Sequence, residues 1–388
     1  MSFRKIASWL LLGSTLATAS VATTGSHTDK ITPKVFIVSM FEPEAQAWWH
    51  IREFDLLAHN ITVPGLSPLY PDVHCTEDYE ICQLITGESE INAATTVTSV
   101  AFSPLFNLTQ TYFFIAGIAG VNPERATLGS ATFARYAVQV ALQYEIDIRE
   151  LPSSYSTGYI PLGADYPNQY PTNIYGTEVF EVNAELRRMR WDWRATAISL
   201  TRPLPRHTVP IMPPPVGGTR PPRWGPPSWS ATLPRPMSHY SGDILGNTFD
   251  NTTKLLTNGT GEYCAKALLR SSTRNLTDFS RIIVMRTASD FDRPYPGSST
   301  TYNLLYADAG GFEPALANIY NAGIHVVQGI IKGWKTTFAE GVEARNYVGD
   351  IFGTLGGQPD FGPGRTAALA DSGAFKKRSL SPRLRRRS

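Results

Sequence analysis

An α/β fold, with strands and helices alternating along the chain, is what this sequence predicts, and three observations predict it. Short β-branched runs such as KVFIVS at Lys34–Ser39 end abruptly in small or acidic residues. Between the first of these runs lie segments with helical spacing, the strand, turn, helix, strand rhythm of an α/β sheet. The length of 388 residues, 42% hydrophobic and 18% charged, suits one large domain or two ordinary ones with ample core.

The elements follow in order. Lys34–Ser39 reads as a buried strand. Glu42–Leu57 reads as a helix, with Pro43 near its start, where a missing N–H costs little. Ile81–Thr86 is a second strand stopping at Gly87, and Asn92–Phe102 a helix of small and apolar residues. Thr111–Ala116 is the third strand. Leu128–Arg135 and Val138–Asp147 look like further strands on the sheet edge, and Arg281–Arg286 like a late central one. Glu313–Glu340 carries apolar residues at helical spacing, interrupted by Gly323, Gly329 and Gly333.

Residues 1–22 have the plan of a secretory signal peptide. Arg4 and Lys5 precede an apolar run from Ile6 to Ala17, and small residues such as Ala19 and Ala22 follow. The run is short for a bilayer span, and no later segment reads as one, so a secreted or cell-surface chain without an integral span is expected after cleavage. Five sequons, at Asn60, Asn107, Asn251, Asn258 and Asn275, are N-glycosylation acceptors and agree with export. Cys75 and Cys82 are close enough to bridge in an oxidising compartment, which leaves Cys264 odd. A metal site is the weaker reading of the cysteines, because no His/Cys cluster has ligand spacing.

Two segments break the rhythm. Arg187–Met237 holds twelve of the 29 prolines and four of the 8 tryptophans, many arginines, and Asp192 as its only acid. It reads as translated non-coding or frame-shifted sequence inserted into a domain spanning 31–364, or alternatively as a Pro-rich docking arm. The basic tail 365–388 is expected to be disordered. Most clustered positive charge lies in these two segments and the net charge is only +2, so nucleic acid is not a natural partner.

In open α/β sheets ligands bind outside the carboxyl ends of the strands. Four such ends carry small residues, and three of them carboxylates as well: Ser39–Glu44, Thr86–Asn92, Ala116–Gly120 and Arg286–Asp292. Small residues let a flat ligand approach the backbone, and carboxylates on neighbouring strands supply a general acid and base.

KVFIVSMFEPEA, LITGESEINAATTVTSVA, YFFIAGIAGVNPE and VMRTASDFD resemble the sequential landmarks of the nucleoside phosphorylase and nucleosidase superfamily. More closely, MFxPE, TGxSxxNAA, GIAGxNP, LLTNGTGxYC and RTxSDFDRP resemble signatures of the purine nucleoside permeases, secreted fungal and bacterial proteins. They stand here as Met40–Glu44, Thr86–Ala94, Gly117–Pro123, Leu255–Cys264 and Arg286–Pro294. The resemblance covers Lys34–Leu186 and Tyr240–Gly364. It implies a three-layer α/β/α architecture around a central mixed, twisted sheet, and a purine nucleoside as ligand. It implies Asp290 as the group that protonates or holds the purine, with Gly117, Ala119, Gly120 and Asp292 around the base. Glu44, with Glu42 beside it, falls near the acidic position that activates water. Gly87, Glu88, Asn92 and Arg125 are the candidates for ribose or phosphate.

The resemblance implies no cofactor, inorganic phosphate as a co-substrate if the reaction is phosphorolysis, and a homo-oligomer. The chain departs from the pattern twice. Pro43 sits where an acid is expected, and an acidic run expected after Cys264 is replaced by Ala265–Leu269. The expected function is nucleoside uptake and metabolism, by binding and cleaving purine nucleosides outside the membrane. The alternatives are a non-catalytic nucleoside binder and an inactive or mis-spliced form of the enzyme. Hydrolysis and phosphorolysis stay open.

Overall fold

Five consecutive buried residues, Val35–Ser39, form β1, and the lack of any polar alternation marks a strand covered on both faces. The computed structural model describes residues 29–189 and 255–361, apart from positions 122, 124, 125, 140–142, 156, 168–170, 257–259, 292, 293 and 360. The expected leader, almost all of the Pro-rich stretch, the tail 365–388, Asn251, Asn258, Arg125 and Asp292 lie outside the described residues.

After β1 come α1 (Glu42–Gln46), β2 (His59–Thr62), β3 (Asp72–Cys75), β4 (Ile81–Ile85), α2 (Glu90–Phe102) and β5 (Tyr112–Val121). Then follow β6 (Ala131–Phe133), β7 (Tyr136–Val138), β8 (Gln143–Glu145), β9 (Tyr159–Pro161), β10 (Val179–Glu181) and α3 (Ala184–Arg188). The last part holds β11 (Leu255–Leu256), α4 (Thr260–Ser272), β12 (Ile282–Phe291), α5 (Thr300–Leu305), α6 (Phe312–Lys332) and β13 (Gly349–Asp350). The main sheet has the order β2-β3-β4-β1-β5-β12-β6, with β11 added against β5. Its centre, β4-β1-β5-β12, is parallel, and its flanks are antiparallel. Cys75 and Cys82 stand opposite each other on β3 and β4 and are disulfide-bonded.

Period-two alternation splits the core into two layers. Phe113 and Ile115 of β5, with Phe36, Val38 and Val284, pack on Ala93, Val97 and Val100 of α2 and on Leu268 and Leu269 of α4. Tyr112, Phe114 and Ala116, with Val35, Ile37 and Met285, pack on Ile319, Ala322, Val326 and Ile330 of α6. The result is the expected three-layer arrangement around a central mixed sheet.

Several expected boundaries are corrected. The helix predicted over Glu42–Leu57 ends at Gln46, and the chain then turns, with His50 in the left-handed region at φ 56°. Trp48 and Trp49 fall inside that predicted helix. Trp48 instead plugs the layer between sheet and α6, and Trp49 bonds Gln83 of β4. The edge strands predicted over 128–147 are shorter: β6 alone joins the main sheet. β7 leaves to pair with β10 in a small sheet of order β13-β10-β7, and β8 pairs with β9. The last helix stops at Lys332 on Gly333, and a wider turn over Trp334–Phe338 follows.

Gly323 does not interrupt α6, because it is the point where Trp48 meets the helix. A Cβ there would lie 2.5 Å from the Trp48 ring and 2.9 Å from Phe114. Gly323→Ala therefore overpacks the layer and should cost about 1–3 kcal/mol, read as a lower urea midpoint at unchanged slope.

Candidate active site

The third and last parallel strands run past their expected ends. β5 continues through Gly117–Val121 and β12 through Thr287–Phe291, each pairing with the other. β1 accompanies β5 only as far as Ile115, and β11 joins it only at Gly120. Between them, one edge of β5 has no strand neighbour. The first turn of α1 fills that gap. Glu44 Oε1 accepts the Ile118 N–H at 2.7 Å, and Oε2 accepts the Met40 N–H at 2.7 Å.

Gly117 makes this possible. A Cβ there would lie 2.3 Å from Glu44 Oε1 and 2.7 Å from Arg286 Nη1. The room that sequence reasoning assigns to a purine ring is occupied at this position by the protein's own carboxylate and guanidinium. Arg286 stands opposite Gly117 in register and is buried, with Nη1 3.5 Å from Met40 Sδ. Glu44 is only 2% exposed. Burial pushes its carboxyl up to about 7, against the opposing pull of the Arg286 charge and of the N–H groups of Met40, Ile118 and Phe41.

Further along, a bulge at Ser289 shifts the β12 register, so Asp290 stands opposite Gly120. Ser289 Oγ lies 2.9 Å from Asp290 Oδ1. The bulge is held from outside by Gly311, whose Cβ would lie 2.2 Å from the Ser289 carbonyl oxygen. That contact pins the start of α6, where Phe312 meets the Phe41 ring at 6.5 Å. The two rings and the half-buried Ile118 supply apolar surface beside the two carboxylates.

The remaining predicted residues are placed as follows. Ala119 is buried in β5 opposite Ala288. Gly87 sits buried at the end of β4 with φ 78°, a turn that favours glycine. Asn92 donates to the Glu88 carbonyl at 2.8 Å, and both side chains are exposed. Glu42 is exposed and accepts from Gln46, so it does not share the Glu44 pocket. Asp290 belongs to an extended strand and caps no helix. Sequence reasoning missed Arg286 as a site residue. The available signal was a charged residue closing the apolar run IIVM in a central strand.

Among the described residues no group of His, Cys, Asp and Glu is arranged to hold a metal, and no helix is long and apolar enough to cross a membrane.

A sequence profile described as purine nucleoside permease matches residues 32–202 and 235–343. The match thus runs further into the Pro-rich stretch than Leu186 and stops short of Gly364. A purine nucleoside permease of Candida albicans is 40% identical over 352 residues, covering 85% of this chain and 83% of the relative. A probable purine nucleoside permease of Schizosaccharomyces pombe is 34% identical over 358 residues, covering 86% of this chain and 99% of the relative. Among solved structures, a 5'-methylthioadenosine/S-adenosylhomocysteine nucleosidase from Neisseria meningitidis aligns over 77% of this chain and 99% of its own, at 12% identity and a TM-score of 0.35. A futalosine hydrolase of Helicobacter pylori aligns over 76% and 98%, at 12% identity and 0.40.

Two expectations follow from the geometry. Gly117→Ala should displace Glu44 and Arg286 while the strands persist: far-UV circular dichroism stays native and any site function is lost. The second concerns pH. Glu44 binds its proton more tightly in the folded protein than at its ordinary value of 4.5. Its contribution to stability is therefore complete below 4.5 and is lost as pH rises through about 7. Glu44→Gln should flatten the decline of the thermal midpoint across that window.

Proposed function

The chain belongs to the purine nucleoside permease family, and we propose that it binds purine nucleosides at the carboxyl ends of β1, β5 and β12 and hydrolyses their N-glycosidic bond. The observation that carries this reading is Glu44. A buried carboxyl held near neutral pH, fixed by two backbone N–H groups and flanked by an arginine, has the properties of a general base. Asp290 stands opposite Gly120, three residues beyond Gly117. That is about 10 Å along the strand and on its other face, so a ligand reaching both groups lies across the strand ends.

The chemistry needs both ends. Water gives its proton to Glu44 and its oxygen attacks the anomeric carbon of the ribose. The bond from that carbon to the purine nitrogen breaks with its electron pair on the purine, and Asp290 supplies or shares the proton that the leaving base takes up. Arg286 limits the cost of an ionised Glu44 in a buried place. Phe41 and Phe312 offer a wall for the nucleoside. A carboxylate at the nucleophile position disfavours a phosphate anion there, which favours water. On this reading uptake is binding and cleavage outside the membrane by an exported protein that feeds a separate transport step.

The test is release of free base from inosine and adenosine, with and without phosphate. Release without phosphate is expected, with kcat/KM rising as pH passes through about 7 and Glu44→Gln abolishing that limb. Glu44→Gln and Asp290→Asn should each lower kcat by roughly 10²–10⁴. Release only with phosphate overturns the water assignment. Saturable binding without release would make the chain a nucleoside-binding protein instead.

A further inference from the structure

We propose that Asn60, Asn107 and Asn275 carry N-linked glycans that leave from the amino-terminal pole and the outer edge of the main sheet, so that none of these three covers the mouth of the candidate active site. The inference rests on export of the chain, expected from residues 1–22, and not on the nucleoside reading.

All three asparagines are exposed. Two of them sit together. Leu108 and Thr277, the neighbour of Asn107 and the end of the Asn275 sequon, form a parallel bridge. The first sequon lies just before β5 begins at Tyr112, and the second just before the short helix Phe279–Arg281 that leads into β12. Both glycans would therefore leave from the amino-terminal end of the two central strands. Glu44, Gly117, Arg286 and Asp290 gather at the carboxyl-terminal end.

Asn60 is placed by register. One row of paired residues runs across the sheet: Asn60, His74, Gln83, Ile37, Phe114 and Ile283. Residues in one row point to the same face. This is the face of α6, since Ile37, Phe114 and Ile283 belong to that core layer. Gly117 and Arg286 lie three positions beyond Phe114 and Ile283 and so face the opposite way, while Ile118 and Phe312 bring the site to the α6 side as well; Asn60 is kept from it by β3 and β4, which stand between β2 and the site strands. Asn60 is also in β2, the outermost strand of the sheet among the described residues, where asparagine is a poor strand former and an open edge invites pairing with another chain. A bulky, soluble glycan there gives the residue a use that its strand position does not.

The local chemistry suits the transfer. The amide oxygen of Asn60 lies 2.6 Å from His74 Nδ1, and that of Asn107 accepts the Thr109 hydroxyl at 2.8 Å. Glycosylation uses the other amide atom. A bond forms from Nδ2 to the anomeric carbon of the sugar, the sugar–pyrophosphate bond of a lipid-linked donor breaks, and Nδ2 loses one proton. Asn275 sits at φ 55°, in the turn after α4, where its side chain is exposed while Thr277 is buried against Ser271.

The full chain, with its own leader, is expressed in a eukaryotic secretory host and recovered from the medium. Release of N-glycans by an amidase leaves aspartate at each occupied position, and peptide mass analysis reads it. Conversion at Asn60, Asn107 and Asn275 is expected. Asn107→Asp, which keeps the acceptor for Thr109, Asn275→Gly, which keeps the left-handed turn, and Asn60→Thr should each remove one glycan while the circular dichroism stays native. Inosine binding of the secreted chain with all three substitutions should match that of the unsubstituted chain. Unmodified asparagines at these three positions in a folded, secreted chain overturn the proposal, as does retention of the chain in the cytosol. Inosine binding that appears only in the triply substituted chain overturns the claim that these three glycans leave the mouth clear. Glycans present with no inosine binding in either chain leave this inference standing and sink the nucleoside reading.

Discussion

One carboxylate holds the carboxyl-terminal end of this sheet together. β1 stops at the level of Ile115 and β11 begins at Gly120, so a stretch of the central strand β5 lies without a neighbour. A backbone N–H left there unpaired and buried would be costly. Glu44 supplies the acceptor to Ile118 and, with its second oxygen, closes the turn at Met40 that starts α1. The same placement buries the charge, and burial together with Arg286 sets its protonation near neutrality. A structural requirement of the sheet and a chemical property of the site are thus met by one side chain.

The opposite pole is built on a different device. Arg281, buried at the start of β12, donates to the carbonyls of Phe338 at 2.7 Å, Ala339 at 2.9 Å and Gln110 at 3.0 Å, and its guanidinium lies over the Tyr112 ring. Tyr112 in turn donates to the Phe338 carbonyl at 3.0 Å. This clamp ties the wide turn after α6 to the amino ends of the two central strands. Those strands are therefore fixed at one end by an arginine that bonds to protein. At the other end, their extension past β1 carries the candidate chemistry. The division is the one expected of open α/β sheets, in which one end of the strands serves stability and the other binding.

Much of the sheet is legible in the residues themselves. Uninterrupted apolar runs such as VFIVS and ICQLI fit strands covered on both sides. The helices α2 and α6 show in the spacing of their apolar residues. Where the reading fails, a tertiary contact outweighs a local pattern. Trp48 and Trp49 lie within the helix predicted over Glu42–Leu57, but they serve different partners, Gly323 on α6 and Gln83 on β4, and the helix ends before them. The strands predicted over 128–147 divide because the backbone of Arg135 pairs with Val182, which draws β7 out of the main sheet. No periodicity within one segment encodes a partner more than forty residues away.

The site divides the same way. Its candidate residue types, a glutamate after β1, glycines in β5 and an aspartate in β12, are legible in the sequence as acids and glycines at the ends of apolar strands. The sequence also determined the family, through five short signatures in fixed order. Only the tertiary structure decided what each does. Glu42 and Glu44 are two residues apart and equally acidic, yet one is solvated and the other buried, because the helical turn aims only Glu44 at the open edge of β5. Gly117 looked like room for a ligand and is room for Glu44 and Arg286. Arg286 entered the site only when β12 was laid beside β5. Protonation, burial and proximity are properties of the three-dimensional neighbourhood, and the neighbours here, Glu44 on α1 and Ile118 on β5, are more than seventy residues apart.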